Sequence, residues 1–261
     1  MERQRLDVLL VDRGLFPTRA KAQAALMAGK VRVEGHPRPK AGMRVAPDIG
    51  VEVVPDAVPY VSRGGLKLAA ALDEFPVLVE GRTALDVGAS TGGFTDCLLQ
   101  RGARKVYAVD VGRGQLDASL RADPRVVGME RTHARDLAPA LFGEDAGSLD
   151  LAVIDVSFIS LAKVLAPVLA CLRRPFEVIA LIKPQFELGP KKAPKGVVRQ
   201  EAHRQEAIGL LRLAARTLEI EEKGLMACPI KGPKGNVEYL WYLAGLRLQG
   251  GKHIGSVISG V

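Results

Sequence analysis

Residues 85–96 read Leu85-Asp86-Val87-Gly88-Ala89-Ser90-Thr91-Gly92-Gly93-Phe94-Thr95-Asp96. The apolar run that begins at Thr83 stops at three glycines, and a helical pattern of apolar residues follows them. Glycine accepts a positive φ and lets a ligand approach the backbone because it has no Cβ. The first N–H groups of a helix are also free to bind such a ligand. The stretch therefore predicts a strand, a tight turn and a helix that together hold a nucleotide-type cofactor.

The spacing of these glycines distinguishes between cofactor classes. The sequence here lacks both the G-x-G-x-x-G pattern of dinucleotide-binding turns and the Gly-Lys-Ser/Thr of a P-loop. Asp86 lies two residues before the first glycine, and the next apolar strand ends at Asp110, where Rossmann-like folds place a ribose-binding carboxylate. An acid at the entry disfavours a pyrophosphate and suits a cationic ammonium group. The pattern resembles the S-adenosylmethionine site of class I methyltransferases, and an ordinary βα turn is the alternative.

The composition limits the classes of protein to which the chain can belong. Hydrophobic residues make up 48% of the 261 residues, so we expect a folded core rather than disorder. No apolar run approaches the roughly 20 residues that a membrane span needs. Charges throughout the first fourteen residues argue against a secretory signal, so we expect a cytoplasmic protein. The net charge of +8 favours a polyanionic partner such as nucleic acid.

The three cysteines, Cys97, Cys171 and Cys228, are far apart in sequence and show no metal-ligand spacing. We therefore expect neither a metal site nor a disulfide framework. Cys97 and Cys171 fall on apolar helix faces, which predicts that they pack in the core. Cys228 is also expected to be a packed residue rather than a nucleophile.

Residues 1–58 are predicted to form a separate α+β unit of two short helices followed by short strands around Val31, Val45 and Val51. This pattern resembles the S4 RNA-binding domain, through Arg5-Leu6-Asp7, Arg19, Ala22 and the stretch Gly29 to Val33. Residues 1–60 contain ten Lys/Arg and seven Asp/Glu, so the unit is only mildly basic. The prediction of RNA binding therefore depends on where the basic side chains lie. Basic side chains expected to bind phosphates are Arg5, Arg19, Lys21, Lys30 and Arg32. A solvated helix face is the alternative.

A linker is predicted at 59–65, a doubly wound domain at 66–250 and a tail at 251–261. A helix after Ser62 precedes the central strand. Strands are predicted at 83–87, 105–109, 126–129, 149–155, 177–182, 223–229 and 237–243, and helices in the gaps, most clearly at 160–172 and 200–218. Alternating strands and helices imply a largely parallel sheet with its ligand at the carboxyl ends of the strands. The last two strands have no helix between them, which predicts a hairpin and one antiparallel strand.

Polar residues follow or precede several of these strands at the ligand edge. Asp155 and Lys183 each end an apolar strand, Glu238 opens the last one, and Lys67 lies near the start of the first helix of the domain. This set resembles the tetrad of FtsJ/RrmJ-like ribose 2′-O-methyltransferases, in the chain order Lys67, Asp155, Lys183 and Glu238. A ribose hydroxyl needs a base and an aligned methyl donor, and a lysine with a lowered pKa can serve. We expect Lys183 to be the base and Lys67 to position the hydroxyl. A snorkelling strand-end lysine is the alternative for Lys183.

Together these motifs resemble the TlyA (hemolysin A) family from end to end, including Val61-Ser62-Arg63-Gly64-Gly65 and Lys183-Pro184-Gln185-Phe186-Glu187. The resemblance implies a class I methyltransferase fold after an S4-like domain, and S-adenosylmethionine-dependent 2′-O-methylation of cytidine in ribosomal RNA. The cofactor residues that it implies are Asp86, Gly88, Ala89, Ser90, Thr91, Gly92, Gly93, Phe94, Asp110, Val111, Thr132, His133 and Asp155. His133 stands where we expect asparagine in this family. The alternative for His133 is a partly exposed loop residue without a role in binding.

A basic stretch after the Lys183 strand is broken by glycine and proline, which predicts a mobile loop that holds RNA. Its cations are Lys191, Lys192, Lys195 and Arg199, and Arg63 is a further candidate RNA contact. A solvated loop is the alternative. Two other functions stay open, a non-catalytic RNA-binding or ribosome-assembly factor and a membrane-acting hemolysin.

Overall fold

The computed structural model describes residues 3–16, 18–27, 30–37, 39–53, 59–232 and 234–246. The chain divides into two compact units, residues 1–59 and 60–261. The residues predicted as a linker differ from that expectation, because Tyr60 and Val61 pack on the core of the second unit and Arg63 begins its first helix. The predicted tail at 251–261 lies outside the described residues.

The first unit has the α+β composition that the sequence predicts. Its elements are β1 (Gln4–Arg5), α1 (Leu6–Asp12), α2 (Arg19–Met27), β2 (Val31–Val33), β3 (Arg44–Val45) and β4 (Val51–Val53). β1 pairs with β3 and β2 pairs with β4, both antiparallel. Apolar side chains from the helices and strands, including Leu6, Leu10 and Val31, form a core of their own. The sequence pattern did not indicate β1, because two residues are too few to show a period.

A seven-stranded sheet forms the centre of the second unit. Its elements are α3 (Arg63–Glu74), β5 (Thr83–Val87), α4 (Gly93–Gln100), β6 (Lys105–Val109), α5 (Ala118–Ala122), β7 (Val126–Met129), β8 (Leu151–Ile154), α6 (Ala162–Ala170), β9 (Phe176–Ile182), α7 (Pro184–Glu187), α8 (Glu201–Thr217), β10 (Glu221–Ala227) and β11 (Tyr239–Gly245). The strands lie in the order β10-β11-β9-β8-β5-β6-β7. β11 runs antiparallel to both neighbours, whereas the remaining pairs are parallel. The doubly wound sheet with one antiparallel strand is therefore confirmed.

Apolar layers cover both faces of this sheet, because successive side chains of a strand point to opposite sides. Leu85 and Val87 of β5 belong to one layer, and Ala84 belongs to the other. β5 lies between β6 and β8, so the strand order reverses there and opens a crevice at the carboxyl ends of these strands. That crevice is where the candidate residues meet.

The predicted strand boundaries agree with the structure at the first three strands and shift by about two residues at later ones. The expected strands at 149–155, 223–229 and 237–243 lie at 151–154, 221–227 and 239–245. Glu238 therefore precedes the last strand instead of opening it. Between β7 and β8, short 3₁₀ turns at Ala134–Asp136 and Pro139–Asp145 stand where an α-helix was expected.

Candidate active site

The glycine loop joins β5 to α4 as predicted. Two of its glycines allow close approach of other segments of the chain, rather than of a ligand. Gly88 has a φ of 87°, and a Cβ there would lie 2.5 Å from the carbonyl oxygen of Asp155. A Cβ on Gly93 would lie 2.2 Å from Ser62 Oγ. Ser62 in turn caps α3 by accepting a hydrogen bond from the Gly64 N–H. The glycines thus let the start of α3 and the end of β8 close onto the loop.

Two adjoining cavities open above this loop. The first cavity, of about 270 Å³, is lined by Ser62, Arg63, Gly64, Lys67, Gly88, Ala89, Ser90, Thr91, Gly93, Phe94, Asp155, Ile230 and Lys231. The second cavity, of about 360 Å³, is lined by Ala89, Ser90, Ala108, Asp110, Gly112, Gln115, Leu116, Arg121, Gly128 and Glu130. Ala89 and Ser90 line both, so the two cavities form one groove over the loop.

The four tetrad residues meet at the carboxyl edge of the sheet as two ion pairs. Lys67 Nζ lies 2.6 Å from Glu238 Oε2, with the two side chains 11% and 1% exposed. Lys183 Nζ lies 2.5 Å from Asp155 Oδ1 and donates a hydrogen bond to Ser157 Oγ at 2.8 Å. Lys67 and Asp155 line the first cavity, whereas their partners Glu238 and Lys183 do not, although Lys67 is as buried as Lys183. Each pair thus presents one member to the cavity, a lysine in one case and a carboxylate in the other.

One oxygen of Glu238 is left without a partner in this arrangement. Within the described part of the chain, Glu238 Oε1 is buried and accepts no hydrogen bond. Gly232 lies beside it, because a Cβ on that glycine would approach the oxygen to 2.4 Å. A buried carboxylate oxygen with no partner is costly, which is typical of a functional site rather than a purely structural ion pair.

Asp86 lies inside the loop rather than on a cavity wall. Thr95 Oγ1 donates to Asp86 Oδ2 at 2.6 Å, and Oδ1 accepts no hydrogen bond from the described residues. Burial raises the pKa of this fully buried carboxyl to about 7. Asp86 therefore ties β5 to the first turn of α4, which differs from the expected contact with a cofactor ammonium.

Asp110 directly follows β6 and lines the second cavity. Its two oxygens accept hydrogen bonds from the N–H groups of Ser90 and Gly112, at 2.8 Å and 2.7 Å. The carboxylate thus fixes the glycine loop against the end of β6 and still faces the cavity. Its remaining lone pairs are available to hydroxyl groups of a ligand.

Not all of the expected cofactor residues reach this groove. Gly88, Ala89, Ser90, Thr91, Gly93, Phe94, Asp110 and Asp155 line it. Asp86, Gly92, Val111, Thr132 and His133 line neither cavity. His133 is exposed and precedes the 3₁₀ turn at Ala134–Asp136. The Thr132 N–H donates to the Asp110 carbonyl, so that residue supports the second cavity through the backbone.

Several residues at the site were not singled out by the sequence patterns. Gln115 and Glu130 line the second cavity, and Lys231 lines the first. Phe158 is 91% exposed, has a φ of 63° and contacts Phe186 in a tilted arrangement, with ring centroids 5.1 Å apart. A positive φ is a strained conformation for a bulky residue. An aromatic residue just after a strand-end acid is the signal that the sequence offered for Phe158.

Arg5 and Arg19 of the first unit hold a buried carboxylate instead of standing free. Arg5 Nε and Nη2 each lie 3.0 Å from an oxygen of Asp7, and Arg19 Nη2 lies 3.2 Å from Oδ2. The Arg5 guanidinium holds the pKa of the Asp7 carboxyl well below its usual range. Both arginine side chains stay about half exposed, 46% and 54%. Lys21 and Lys30 are exposed, and Arg32 pairs with Glu52 at 3.4 Å.

The basic stretch after α7 is anchored at its far end, which differs from the mobile loop predicted. The Asn236 side chain accepts from the Val198 N–H at 3.0 Å and donates to the Gly196 carbonyl at 2.8 Å. Lys192 forms an ion pair with Glu206. The cations Lys191, Lys195 and Arg199 are exposed, and Arg63 is exposed at the first cavity.

The cysteines are buried, as expected, with Cys97 and Cys171 in the apolar layers. Cys228 lies near Lys67, Asp155 and Glu238, and burial raises the pKa of its thiol. A raised thiol pKa argues against a nucleophile. Among the described residues, no cluster of His, Cys, Asp or Glu could hold a metal ion.

Comparison with known proteins assigns the chain to a family. The FtsJ-like methyltransferase family matches residues 60–244 and the S4 domain matches residues 4–48. The 16S/23S rRNA (cytidine-2′-O)-methyltransferase TlyA of Mycobacterium tuberculosis is 46% identical, over 92% of this chain and 90% of that protein. The chain belongs to the TlyA family of FtsJ-like methyltransferases. Hemolysin A of Brachyspira hyodysenteriae is 41% identical over 90% of this chain and 98% of that protein.

The TlyA family assignment agrees with the fold and the unit boundaries. A solved structure of a protein designated a hemolysin, from Streptococcus thermophilus, superposes with a TM-score of 0.72 at 40% identity, over 95% of this chain and 90% of that one. The two family matches fall on either side of the boundary between the units at 59 and 60. The chain is thus an S4 domain followed by a Rossmann-like methyltransferase domain.

Proposed function

We propose that the protein transfers a methyl group from S-adenosylmethionine to the 2′-hydroxyl of cytidine in ribosomal RNA. The observation that carries this proposal is the pairing of Lys67 with Glu238 and of Lys183 with Asp155 at the edge of the first cavity. The rRNA-modifying activity in the name of the Mycobacterium tuberculosis relative supports the substrate. A ribosomal substrate implies that the protein acts in the cytoplasm.

The groove suits S-adenosylmethionine both in its elongated shape and in the polar side chains that line it. The second cavity offers Asp110, Gln115 and Glu130 to a nucleoside, and the first cavity continues from it toward Lys67 and Asp155. The groove therefore has side chains suited to a nucleoside at one end and the two ion pairs at the other. S-adenosylmethionine, when bound, supplies an electrophilic methyl group on a sulfonium.

The two lysines take different roles in the proposed transfer. Lys183 Nζ would accept the proton that the 2′-hydroxyl loses as its oxygen receives the methyl group from the sulfonium. Asp155 lies 2.5 Å from Lys183 Nζ and stabilises the ammonium that forms. Lys67, fixed by Glu238, orients the hydroxyl from the cavity wall. Alignment of this kind supplies a large part of the rate in such reactions.

The surroundings of the tetrad suit a single nucleotide of RNA. The exposed Phe158 ring next to Ser157 and Lys183 offers a flat surface on which a base can stack. Arg63 and Lys231 at the first cavity offer cations to the flanking phosphates. The S4 domain supplies a further RNA-binding surface, with Lys21 and Lys30 exposed.

Methyl transfer from radiolabelled S-adenosylmethionine to purified small and large ribosomal subunits tests the proposal. Lys183→Arg keeps the positive charge but cannot act as a base, so we expect the rate to fall by about 10²- to 10⁴-fold. Lys67→Arg can still donate to the hydroxyl and should lose less. Lys163→Arg, at an exposed position of α6, is the matched control.

The outcomes separate the candidate functions. Label that resists alkali at the modified linkage and disappears in Lys183→Arg supports ribose methylation and the assigned base. Full activity of Lys183→Arg contradicts the role of Lys183. Binding of the methyl donor without label on either subunit points to another RNA. Absence of donor binding favours a non-catalytic RNA-binding or assembly factor.

Hemolysis is a second candidate only because relatives carry that name. No helix among the described residues is long and apolar enough to cross a membrane. Leakage of dye from lipid vesicles at nanomolar protein would favour this activity. Retention of the dye, together with ribose methylation, would favour the enzyme.

A further inference from the structure

Two short segments beside the tetrad contact each other at three places. One is the loop 155–161 after β8, and the other is the stretch 183–187 after β9. Lys183 contacts Asp155 and Ser157 at one end. Phe186 contacts Phe158 in the middle. The far end is held by Glu187, which the proposed reaction does not use.

Glu187 places both of its carboxylate oxygens on the 155–161 loop. Ser160 Oγ donates to Oε2 at 2.6 Å, and the Leu161 N–H donates to Oε1 at 2.8 Å. Leu161 is the residue before α6, so the carboxylate also neutralises the positive end of that helix. Burial raises the pKa of Glu187, whereas these two hydrogen bonds oppose the rise. A carboxylate this enclosed and fully bonded is a rigid anchor.

The loop needs such an anchor because its conformation is strained. Phe158 has a φ of 63° and an almost fully exposed ring, so packing alone does not hold it. Its ring contacts Phe186, which belongs to the same stretch that carries Glu187. Release of Ser160 and Leu161 would let the loop relax and would move Ser157 away from Lys183.

We infer that Glu187 is a positioning residue for methyl transfer, which holds the loop 155–161 so that Phe158 and Ser157 stay in place beside Lys183. This inference rests on the proposed function. Glu187 acts through the loop and does not touch the reacting atoms. Its role differs from that of a general stabilising carboxylate, because its removal changes the geometry next to the base.

Single-turnover methyl transfer to ribosomal subunits tests the inference with matched variants. We expect Glu187→Ala to lower the rate on the order of 10- to 100-fold, with unchanged binding of S-adenosylmethionine. Glu187→Gln can still accept from Leu161 and donate to Ser160 Oγ, so it should lose less than about threefold. Glu222→Ala is the control, since both carboxylate oxygens of Glu222 also accept side-chain hydrogen bonds, two from Arg212 and one from Trp241, at the opposite edge of the sheet. It should reduce stability and leave the rate unchanged.

A double variant distinguishes positioning from stability. If Glu187 acts through Phe158, adding Glu187→Ala to Phe158→Ala should slow the reaction little further. Multiplicative losses would overturn the inference, as would full activity of Glu187→Ala. If Glu187→Ala fails to fold, Ser160→Ala removes the hydroxyl donor alone and should give a smaller loss of the same kind.

Hydrogen exchange of the 156–160 amides gives a readout that does not depend on activity. We expect faster exchange in Glu187→Ala and exchange like that of the wild type in Glu222→Ala. Unchanged exchange in Glu187→Ala would overturn the inference even if the wild type methylated neither subunit. An inactive wild type with faster exchange in the variant would instead overturn the proposed function and keep the anchoring role.

Discussion

The two edges of the seven-stranded sheet differ in how their charged side chains are partnered. These side chains are partly buried at the amino edge and buried at the carboxyl edge. At the amino edge, Arg82 bonds to Asp150 at 2.8 Å and to Glu177 at 2.5 Å. The second oxygen of Asp150 pairs with Arg173, and the second oxygen of Glu177 accepts from Tyr242. At the carboxyl edge, Asp86 and Glu238 each keep one oxygen without a partner among the described residues. One edge is therefore complete in itself, and the other is not.

This difference indicates that the amino edge mainly stabilises the fold, whereas the carboxyl edge mainly serves function. A fully satisfied polar network rigidifies a fold, whereas an unpartnered buried group costs free energy. Proteins accept that cost mainly at functional sites. The carboxyl edge also carries the strained Phe158 and the groove, so the cost falls where substrate is expected to bind.

The largest effect on stability that tests this difference between the edges is expected at Arg82. Arg82→Ala leaves Asp150 and Glu177 without their shared cation, and its side chain is only 17% exposed. We expect the free energy of unfolding to fall by about 3–5 kcal/mol, with the methyl-transfer rate unchanged. Urea unfolding followed by Trp241 fluorescence measures it, because this single tryptophan is buried in β11.

Arg101→Ala is the control for Arg82, since Arg101 pairs with Asp73 at an exposed position. Its loss should stay below about 1 kcal/mol. A slower reaction in Arg82→Ala with unchanged stability would remove the distinction between the two edges.

An effect within the same range is expected at Asp86, and it depends on pH. Burial raises the pKa of this carboxyl from 3.8 to about 7. Between these values the folded state keeps a proton that the unfolded state releases, so the contribution to stability is full below pH 4 and is lost as the pH rises through 7. Relative to Asp86→Asn, the wild type should lose about 4 kcal/mol between pH 4 and 8, at ~1.36 kcal/mol per pKa unit. Parallel pH profiles of the two proteins, measured by Trp241 fluorescence, would contradict this.

The smallest effect on stability is expected at Asp7. Its carboxylate is fully partnered, like those of the amino edge, so it provides a contrast to Asp86. The Arg5 guanidinium holds the pKa of Asp7 well below 3.8. The sign is therefore opposite: this contribution is present above pH 4 and is lost as the pH falls below that value. Half-exposed arginine donors limit its size.

Hydrogen exchange of the α1 amides measures the effect at Asp7, because Trp241 reports only on the second unit. The protection of α1 should fall between pH 4 and 2.5 in the wild type. In Asp7→Asn it should be lower at pH 6 and should change less with pH. A rise in protection toward low pH would refute the sign.

Much of the second unit was predictable from sequence because its signals are local. The glycine loop, the apolar strands and the final hairpin follow from residues close together in the chain. The strand ends that carry Asp155 and Lys183 were also visible, since a polar residue directly after an apolar run must emerge at an edge of the sheet. Strand boundaries near Glu238 shifted by two residues because backbone hydrogen bonds, not hydrophobicity, determine where a strand begins.

The sequence by itself determined that a doubly wound sheet carries a glycine loop and two lysines and two carboxylates at one edge. Only the tertiary structure decided which lysine pairs with which carboxylate, for example Lys67 with Glu238, 171 residues away. It also turned Asp86 into the loop and bound Arg5 to Asp7. The physical reason is that local pattern fixes elements, whereas pairing and burial of charge depend on contacts between distant segments that the pattern does not encode.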